Sequence, residues 1–567
     1  MSERTRTRNR RGIAASRFVL ALAAIAALAG CVGIPTSGSV AEGGVVRDAG
    51  EAPLAVLASG PQKGATPQEI LTDFMQAARS PEGNYEIARQ FLTTDAAEAW
   101  KPGASVLIRE GTGTQITRGP DSIDFSVSTR ASVNASGLYT EERTAATQRL
   151  PFEFEKQNGE WRISSLDDGT VLSRDNFLAV FETHALYYFD PSYRYLVPDI
   201  RWFPVRSNVA TRIASALLAG QADWLAHGAT LTAFPQGTRL ATAPVEPKSG
   251  LALVDLTEEA GKTSNLERAR MQQQLVTSLG SVSVNSVTMS VTGVPLAVSD
   301  PDVSKAVLAS TVQEPEALIR KDAKFGFASG DAVTKVAGLT AKVIAVNARA
   351  VTLGRGQTSA AALGTSGAYL LLSDNTAPLL VDKRAKLAAP SIDTWRYVWS
   401  MPAAAASKLQ ATGPDGVPHA IASSLPADAR VVSFDVSRDG SRVLVYLQTD
   451  ARPRLVVAAV VRRDGVPTEL GPLVDLPVPS DGPIDATWVD DRTVATIASS
   501  PTGNFVTAFP LGGPAESLGR VEDGRRIVGG NGINQIRVLT TDGTIFQLRD
   551  SGWQSTGISA DVLATQQ

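Results

Sequence analysis

Cysteine is almost missing from this chain, and Cys31 is the only one in 567 residues. A single thiol excludes an intramolecular disulfide framework and a thiolate-rich metal centre. Histidine is nearly as scarce: His184, His227 and His419 stand far apart, with no partner at metal-ligand spacing. No G-x-S-x-G elbow occurs, because Gly364-Thr365-Ser366-Gly367 lacks the last spacing. Gly261-Lys262-Thr263 looks like the end of a phosphate-binding loop. The glycine that such a loop needs five positions earlier is Leu256, so the backbone amides there have no turn to cradle a phosphate. The paired acids Asp167-Asp168 and Asp490-Asp491 could suggest general acid/base chemistry or calcium, but as sequence neighbours at turns they read as solvated tips or hairpin caps. No catalytic residue, metal ligand or cofactor is assigned.

Positive charge is not in excess either. Lys+Arg is 54 against 57 for Asp+Glu, a net −3. Residues 1–30 hold six of the arginines and one acid, Glu3, so the rest carries 48 basic against 56 acidic residues, or −8. Nucleic acid rewards a basic face, so it is not expected as a partner. Long apolar runs are also missing. The run from Phe18 to Leu28 is shorter than the ~20 residues of a membrane-spanning helix, and no later stretch is long and apolar enough to span a bilayer.

What is present begins with that run. Arg4 to Arg17 form a basic leader, Phe18 to Leu28 an apolar core, and Leu28-Ala29-Gly30-Cys31 a small-residue cleavage site. A leucine and two small residues before a cysteine is the pattern of a bacterial lipoprotein. It predicts recognition by a signal peptidase through Leu28, Ala29 and Gly30, and lipidation of Cys31. Residues 1–30 are then a signal peptide, and the chain is lipid-anchored on the extracytoplasmic face of the cell membrane. Residues 31–64, rich in Gly, Ala, Ser and Pro, read as a flexible linker.

Hydrophobic residues at 43% and charged residues at 20% are ordinary globular values, and the length calls for several domains. A first unit, 65–190, opens on the capping box Thr66-Pro67-Gln68-Glu69 and an apolar stripe through Ile70, Leu71, Phe74 and Met75. Strand patterns follow, with a hairpin at Asn158-Gly159 returning through Trp161 and Ile163. Helices first and then a sheet ending in Gly159-Glu160-Trp161-Arg162-Ile163 resembles the nuclear transport factor 2-like fold. A second unit, 191–300, predicts a strand from Tyr193 to Val197 and a helix from Val209 to Leu218. Strands near Arg239 to Val245 and Leu251 to Leu256 come next, then a helix through Leu266 to Leu279 and a strand through Val287 to Val291. This order, with Phe234 to Leu240 and Leu253-Val254-Asp255-Leu256, resembles the GerMN domain. From 301 to 567 short alternating strands recur with Asp-Gly turns, which suggests a sandwich or a propeller. At ~40–45 residues per blade a propeller of this length would have about six blades, but the period is loose and does not fix the number. The fold class is therefore multidomain: α+β N-terminal domains, NTF2-like and then GerMN, followed by an all-β propeller.

These units behind a lipobox resemble the actinobacterial lipoprotein LpqB family. The resemblance rests on Cys31, on Gly159 to Ile163, on Leu196-Val197-Pro198-Asp199-Ile200-Arg201-Trp202-Phe203-Pro204 and on the GerMN segments. It implies a non-enzymatic accessory protein of the MtrA–MtrB two-component system. The expected partners are the extracytoplasmic domain of an MtrB-like sensor kinase and, through the lipid, the membrane. The expected outcome is an effect on cell-envelope homeostasis and division. The alternative is an envelope binding module for peptidoglycan or a small ligand. An envelope hydrolase with a site at the propeller centre is the third reading.

Overall fold

The computed structural model describes residues 59–205, 208–298, 308–330, 332–479, 482–549 and 552–567. Leu28, Ala29, Gly30 and Cys31 lie outside the described residues. Ala58–Gln567 forms one compact unit.

The capping box forms as the sequence predicts. Thr66 Oγ1 accepts from the Glu69 amide at 3.4 Å and the Glu69 carboxylate accepts from the Thr66 amide at 2.8 Å, which starts the helix Pro67–Ala77. Its stripe of Ile70, Leu71 and Phe74 is buried against Phe125, Phe152 and Ile163. Each such side chain removed from water contributes about 1.5–3 kcal/mol. The sheet comprises β1 (Ser105–Gly119), β2 (Ser122–Asn134), β3 (Tyr139–Gln157), β4 (Glu160–Leu166) and β5 (Thr170–Ser173) in the order β4-β3-β2-β1-β5. The hairpin between β3 and β4 turns on Asn158 and Gly159, at φ 56° and 83°, the paired left-handed residues of a type I′ turn.

The second domain pairs β6 (Phe181–Phe189) with β7 (Leu196–Pro204) and sets β8 (Leu251–Leu256) parallel to β9 (Ser286–Val291). Helices Val209–Ala219 and Asn265–Leu279 bury Ile213, Leu217, Met271 and Leu275 against Val254, Val287 and Met289. Two expectations need correction. The strand expected at Tyr193 begins at Leu196, because Tyr193 takes a left-handed φ of 57° and Asp190 holds the turn by accepting from the amides of Ser192, Arg194 and Tyr195. The strand expected from Arg239 to Val245 is irregular, with one bridge from Leu240 to Leu256. Pro244, within it, has no amide to donate to a ladder.

Among the described residues beyond 316 six sheets follow in chain order, antiparallel except where Thr565–Gln566 runs parallel to Ala350–Leu353. Their first strands are Ala317–Lys321, Ala350–Leu353, Ser391–Ile392, Arg430–Val436, Gly482–Trp488 and Gly524–Val528, which begin blades 1 to 6. From blade 2 onward the first strand packs beside the first strand of the next blade. Blade 1 holds only three consecutive strands. Its fourth is Val562–Leu563, which pairs with Ala317–Lys321 and packs against the first strands of blades 2 and 6. The ring is thereby closed, as a propeller requires. Asp-Gly turns sit where expected: Asp439-Gly440 joins Arg430–Val436 to Arg442–Gln448, and Asp542-Gly543 joins Arg537–Thr540 to Thr544–Arg549.

The domains interlock. Arg143 on β3 donates to the carbonyls of Val478 and Pro479 in the propeller. Arg201 on β7 donates to the Ser136 carbonyl at 3.0 Å. Val197, Leu225 and Ala229 share a small apolar core with Ala459 and Val461 of blade 4.

Candidate functional site

The innermost strands of the propeller carry polar groups where their neighbours in sequence are apolar, as Asp435 does within Val431 to Val436. Around the axis these groups bond from blade to blade. Ser391 Oγ donates to Asp435 Oδ1 at 2.7 Å, linking blades 3 and 4. Ser433 Oγ accepts from the Ala486 amide at 2.9 Å, linking blades 4 and 5. Arg526 Nη1 lies 3.2 Å from both oxygens of Asp485, and the Ile527 amide donates to the same carboxylate at 2.9 Å, linking blades 5 and 6. Asp435 and Asp485 are both buried.

Burial raises the Asp435 carboxyl to about 6; the Ser391 hydroxyl and the guanidinium groups of Arg526 and Arg438 oppose that rise. Asp485 is raised by the same cause, with Arg526 as its main opponent. Burial also pulls Arg438 down to about 10. Its Nη2 donates to the Val489 carbonyl at 2.8 Å and to the Gly530 carbonyl, tying three blade turns together.

The chain's own residues Val562–Gln567 fill this axis. Gln567 Nε2 donates toward Val436 O at 3.0 Å, with Ser391 Oγ and Asp435 Oδ1 each at 3.2 Å. Thr565 Oγ1 accepts from Arg526 Nη2 at 2.9 Å. A propeller-centre cleft, the location that the hydrolase reading requires, is thus taken up by side chains of the chain itself. No motif pointed to this cluster beforehand. The one signal was an aspartate inside an apolar strand.

The residues singled out by sequence lie elsewhere and are not brought together. His184 is buried, with Nδ1 2.9 Å from Ser281 Oγ and its ring stacked on Phe203. His227 pairs with Asp223 at 3.2 Å on the surface, and His419 meets the Tyr397 ring edge-on. Lys262 ends a short 3₁₀ segment and the Thr263 hydroxyl donates to the Ala260 carbonyl at 2.6 Å, so Gly-Lys-Thr forms a turn ahead of a helix. Asp168 accepts from the amide of Lys101, 67 residues away, at 2.7 Å, while Asp490 accepts from the Arg492 amide at 2.8 Å as a turn cap. Among the described residues no group of three His, Cys, Asp or Glu side chains is placed to hold a metal ion. In the first domain, a hollow between Phe74, Met75, Leu107, Leu150 and Phe152 measures about 40 Å³. That is far below the ~300 Å³ at which small-molecule sites begin.

Comparison with known proteins follows the same three divisions. Residues 60–178 match the family "Lipoprotein LpqB, N-terminal domain", residues 185–297 the family "Sporulation and spore germination", and residues 316–560 the "Lipoprotein LpqB beta-propeller domain". Lipoprotein LpqB of Thermobifida fusca (strain YX) is 31% identical over 311 residues, covering 51% of this chain and 47% of that protein. Lipoprotein LpqB of Mycolicibacterium smegmatis is 33% identical over 208 residues, covering 36% and 34%. The matched region thus spans about half or less of each relative's length. Among solved structures, the tandem GerMN domains of the Bacillus subtilis sporulation protein GerM are similar at 20% identity, covering 20% of this chain and 41% of that one, with a TM-score of 0.17. Among the described residues no helix is long and apolar enough to cross a membrane. With both terminal domains matched to their own family descriptions and a germination-type domain between them, this chain belongs to the LpqB lipoprotein family.

Proposed function

We propose that this chain is a lipid-anchored extracytoplasmic accessory protein that modulates a sensor kinase of the MtrB type by direct contact. The observation that carries this reading is the closed propeller axis: Val562–Gln567 fills the centre, so the outer faces of the domains are left as the surfaces that meet a partner. The interlocked domains support it, because a compact body presents a fixed surface. The anchor in this reading is Cys31, exposed when a signal peptidase cuts after Gly30 and then lipidated. Tethering holds the protein at the membrane and raises its effective concentration toward a kinase embedded there. An effect on signalling requires that the chain bind one signalling state of the kinase more tightly than the other.

The test is co-purification of the lipidated chain with the extracytoplasmic domain of the kinase, together with kinase autophosphorylation in reconstituted membranes. A stable complex and a changed autophosphorylation rate are expected. Loss of both overturns the reading. Capture on purified cell wall in their place favours the envelope binding module.

A further inference from the structure

The geometry points to a docking site for an acidic protein segment where the first domain meets the propeller: a hollow rimmed by Arg109, Arg130 and Arg174 that takes one carboxylate of the partner. The inference rests on the proposed contact with a kinase and names the surface that makes it.

The hollow opens between Arg109 on β1, Arg130 on β2, Tyr139 and Glu141 on β3, Arg174 at the start of the helix Arg174–Val180, and Pro514 of blade 5. Its volume is about 40 Å³. One water's share of the liquid is ~30 Å³, so the hollow admits a single small polar group and not a metabolite.

Charge decides which group. Glu141, its side chain 6% exposed, accepts from Arg130 Nε at 3.2 Å and from the Tyr139 hydroxyl at 3.1 Å. Glu110 accepts from Arg130 Nη1 at 3.4 Å. Burial, and then the Glu141 charge, pushes the Tyr139 hydroxyl up, so it stays a donor. Arg130 and Tyr139 thus meet both carboxylates between them. Arg109 and Arg174 make no hydrogen bond or ion pair among the described residues. Three guanidinium groups against two carboxylates leave positive charge in excess here, on a chain whose net charge is −3. A guanidinium fork matches a carboxylate in shape as well as charge.

The surroundings assign that carboxylate to a protein. Ile108 and Phe177 form a buried apolar floor, and Leu178 on the rim is 40% exposed. Val205 of the second domain, 37% exposed, donates its amide to the Val180 carbonyl at the end of the same helix. All three domains therefore contribute to this face. A charged hollow flanked by exposed apolar side chains is how an interface shields a charge pair from water.

The test is the affinity of the full chain for the extracytoplasmic domain of the kinase, read by surface plasmon resonance. Wild type is compared with Arg109→Glu/Arg174→Glu, with Leu178→Asp and with a control at the exposed Lys383, Lys383→Glu. The first two variants should bind at least tenfold more weakly and the control within twofold of wild type. Arg109→Gln/Arg174→Gln, which removes charge without adding repulsion, should lose at least threefold and serves if the reversal does not fold. Binding by wild type that the arginine variants share overturns this site and leaves the kinase contact standing. No binding by wild type overturns both. Retention on vesicles of anionic lipid that falls in the arginine variants while kinase binding holds assigns the hollow to a lipid surface and overturns the proposal.

Discussion

Trp202 donates its indole N–H to the carbonyl of Gly512 at 2.7 Å, a bond from the second domain to the propeller. The same ring lies 4.6 Å from Phe177 and 6.0 Å from Tyr139 of the first domain. One side chain therefore touches all three domains. Trp202→Ala should cost about 3–5 kcal/mol through the cavity it leaves. Trp202→Phe should cost about 1 kcal/mol, chiefly through the lost hydrogen bond. Scanning calorimetry is the measurement. A single cooperative transition in wild type should broaden or split in Trp202→Ala, and an unchanged trace would show that the domains couple elsewhere.

Asp393 and Arg462 form a buried ion pair at 2.5 Å between blades 3 and 4, with side chains 0% and 2% exposed. Trp399 donates to the same carboxylate at 2.9 Å. Removing one partner strands the other without solvent, so Asp393→Ala should cost about 3–5 kcal/mol. Replacing both, as in Asp393→Asn/Arg462→Met, should cost less than Asp393→Ala alone. Urea midpoints of the three chains at pH 7 decide it.

The axis gives a pH dependence. Asp435 rises from 3.8 to about 6 on folding, so between those values the folded chain holds a proton that the unfolded chain releases. Stability from this group is complete below about 4, falls as pH rises through the window and is flat above about 6. The size is about 3 kcal/mol, from two pH units at ~1.4 kcal/mol each. Asp485 is raised too and adds in the same direction, while Arg526 and Arg438 face the pair as cations. Asp435→Asn should flatten this part of a urea-midpoint-against-pH curve. A variant whose curve overlays wild type from pH 4 to 6 would remove Asp435 from the account.

On the proposed lipid anchor, Cys31→Ala should release the protein from the membrane fraction, with the melting temperature of the folded domains unchanged. Fractionation with mass spectrometry of the mature N-terminus reads both. An intact Met1 on the mature protein rejects lipoprotein processing.

Local features were legible in the sequence because short-range rules govern them. The Thr66/Glu69 box, the Asn158-Gly159 turn and the Gly220 stop after Val209–Ala219 depend on residues within one turn of each other. The strand expected at Arg239 to Val245 failed where a proline sat in an otherwise plausible pattern. At Tyr193 the turn is set by Asp190, three residues earlier, which the alternation of apolar residues does not register.

The sequence by itself determined the class of the molecule: α+β domains, then a β-rich body, with a single cysteine that follows an apolar run near the N-terminus. It also determined how little thiol and imidazole chemistry is available. Only the tertiary structure decided what fills the propeller centre. Gln567 meets Ser391 and Asp435 across 176 and 132 residues, and Thr565 meets Arg526 across 39. No periodicity encodes pairings at those separations. They arise when six blades close into a ring and bring their inner strands to one axis, where the buried Asp435 carboxylate accepts both from Ser391 of the neighbouring blade and from Gln567.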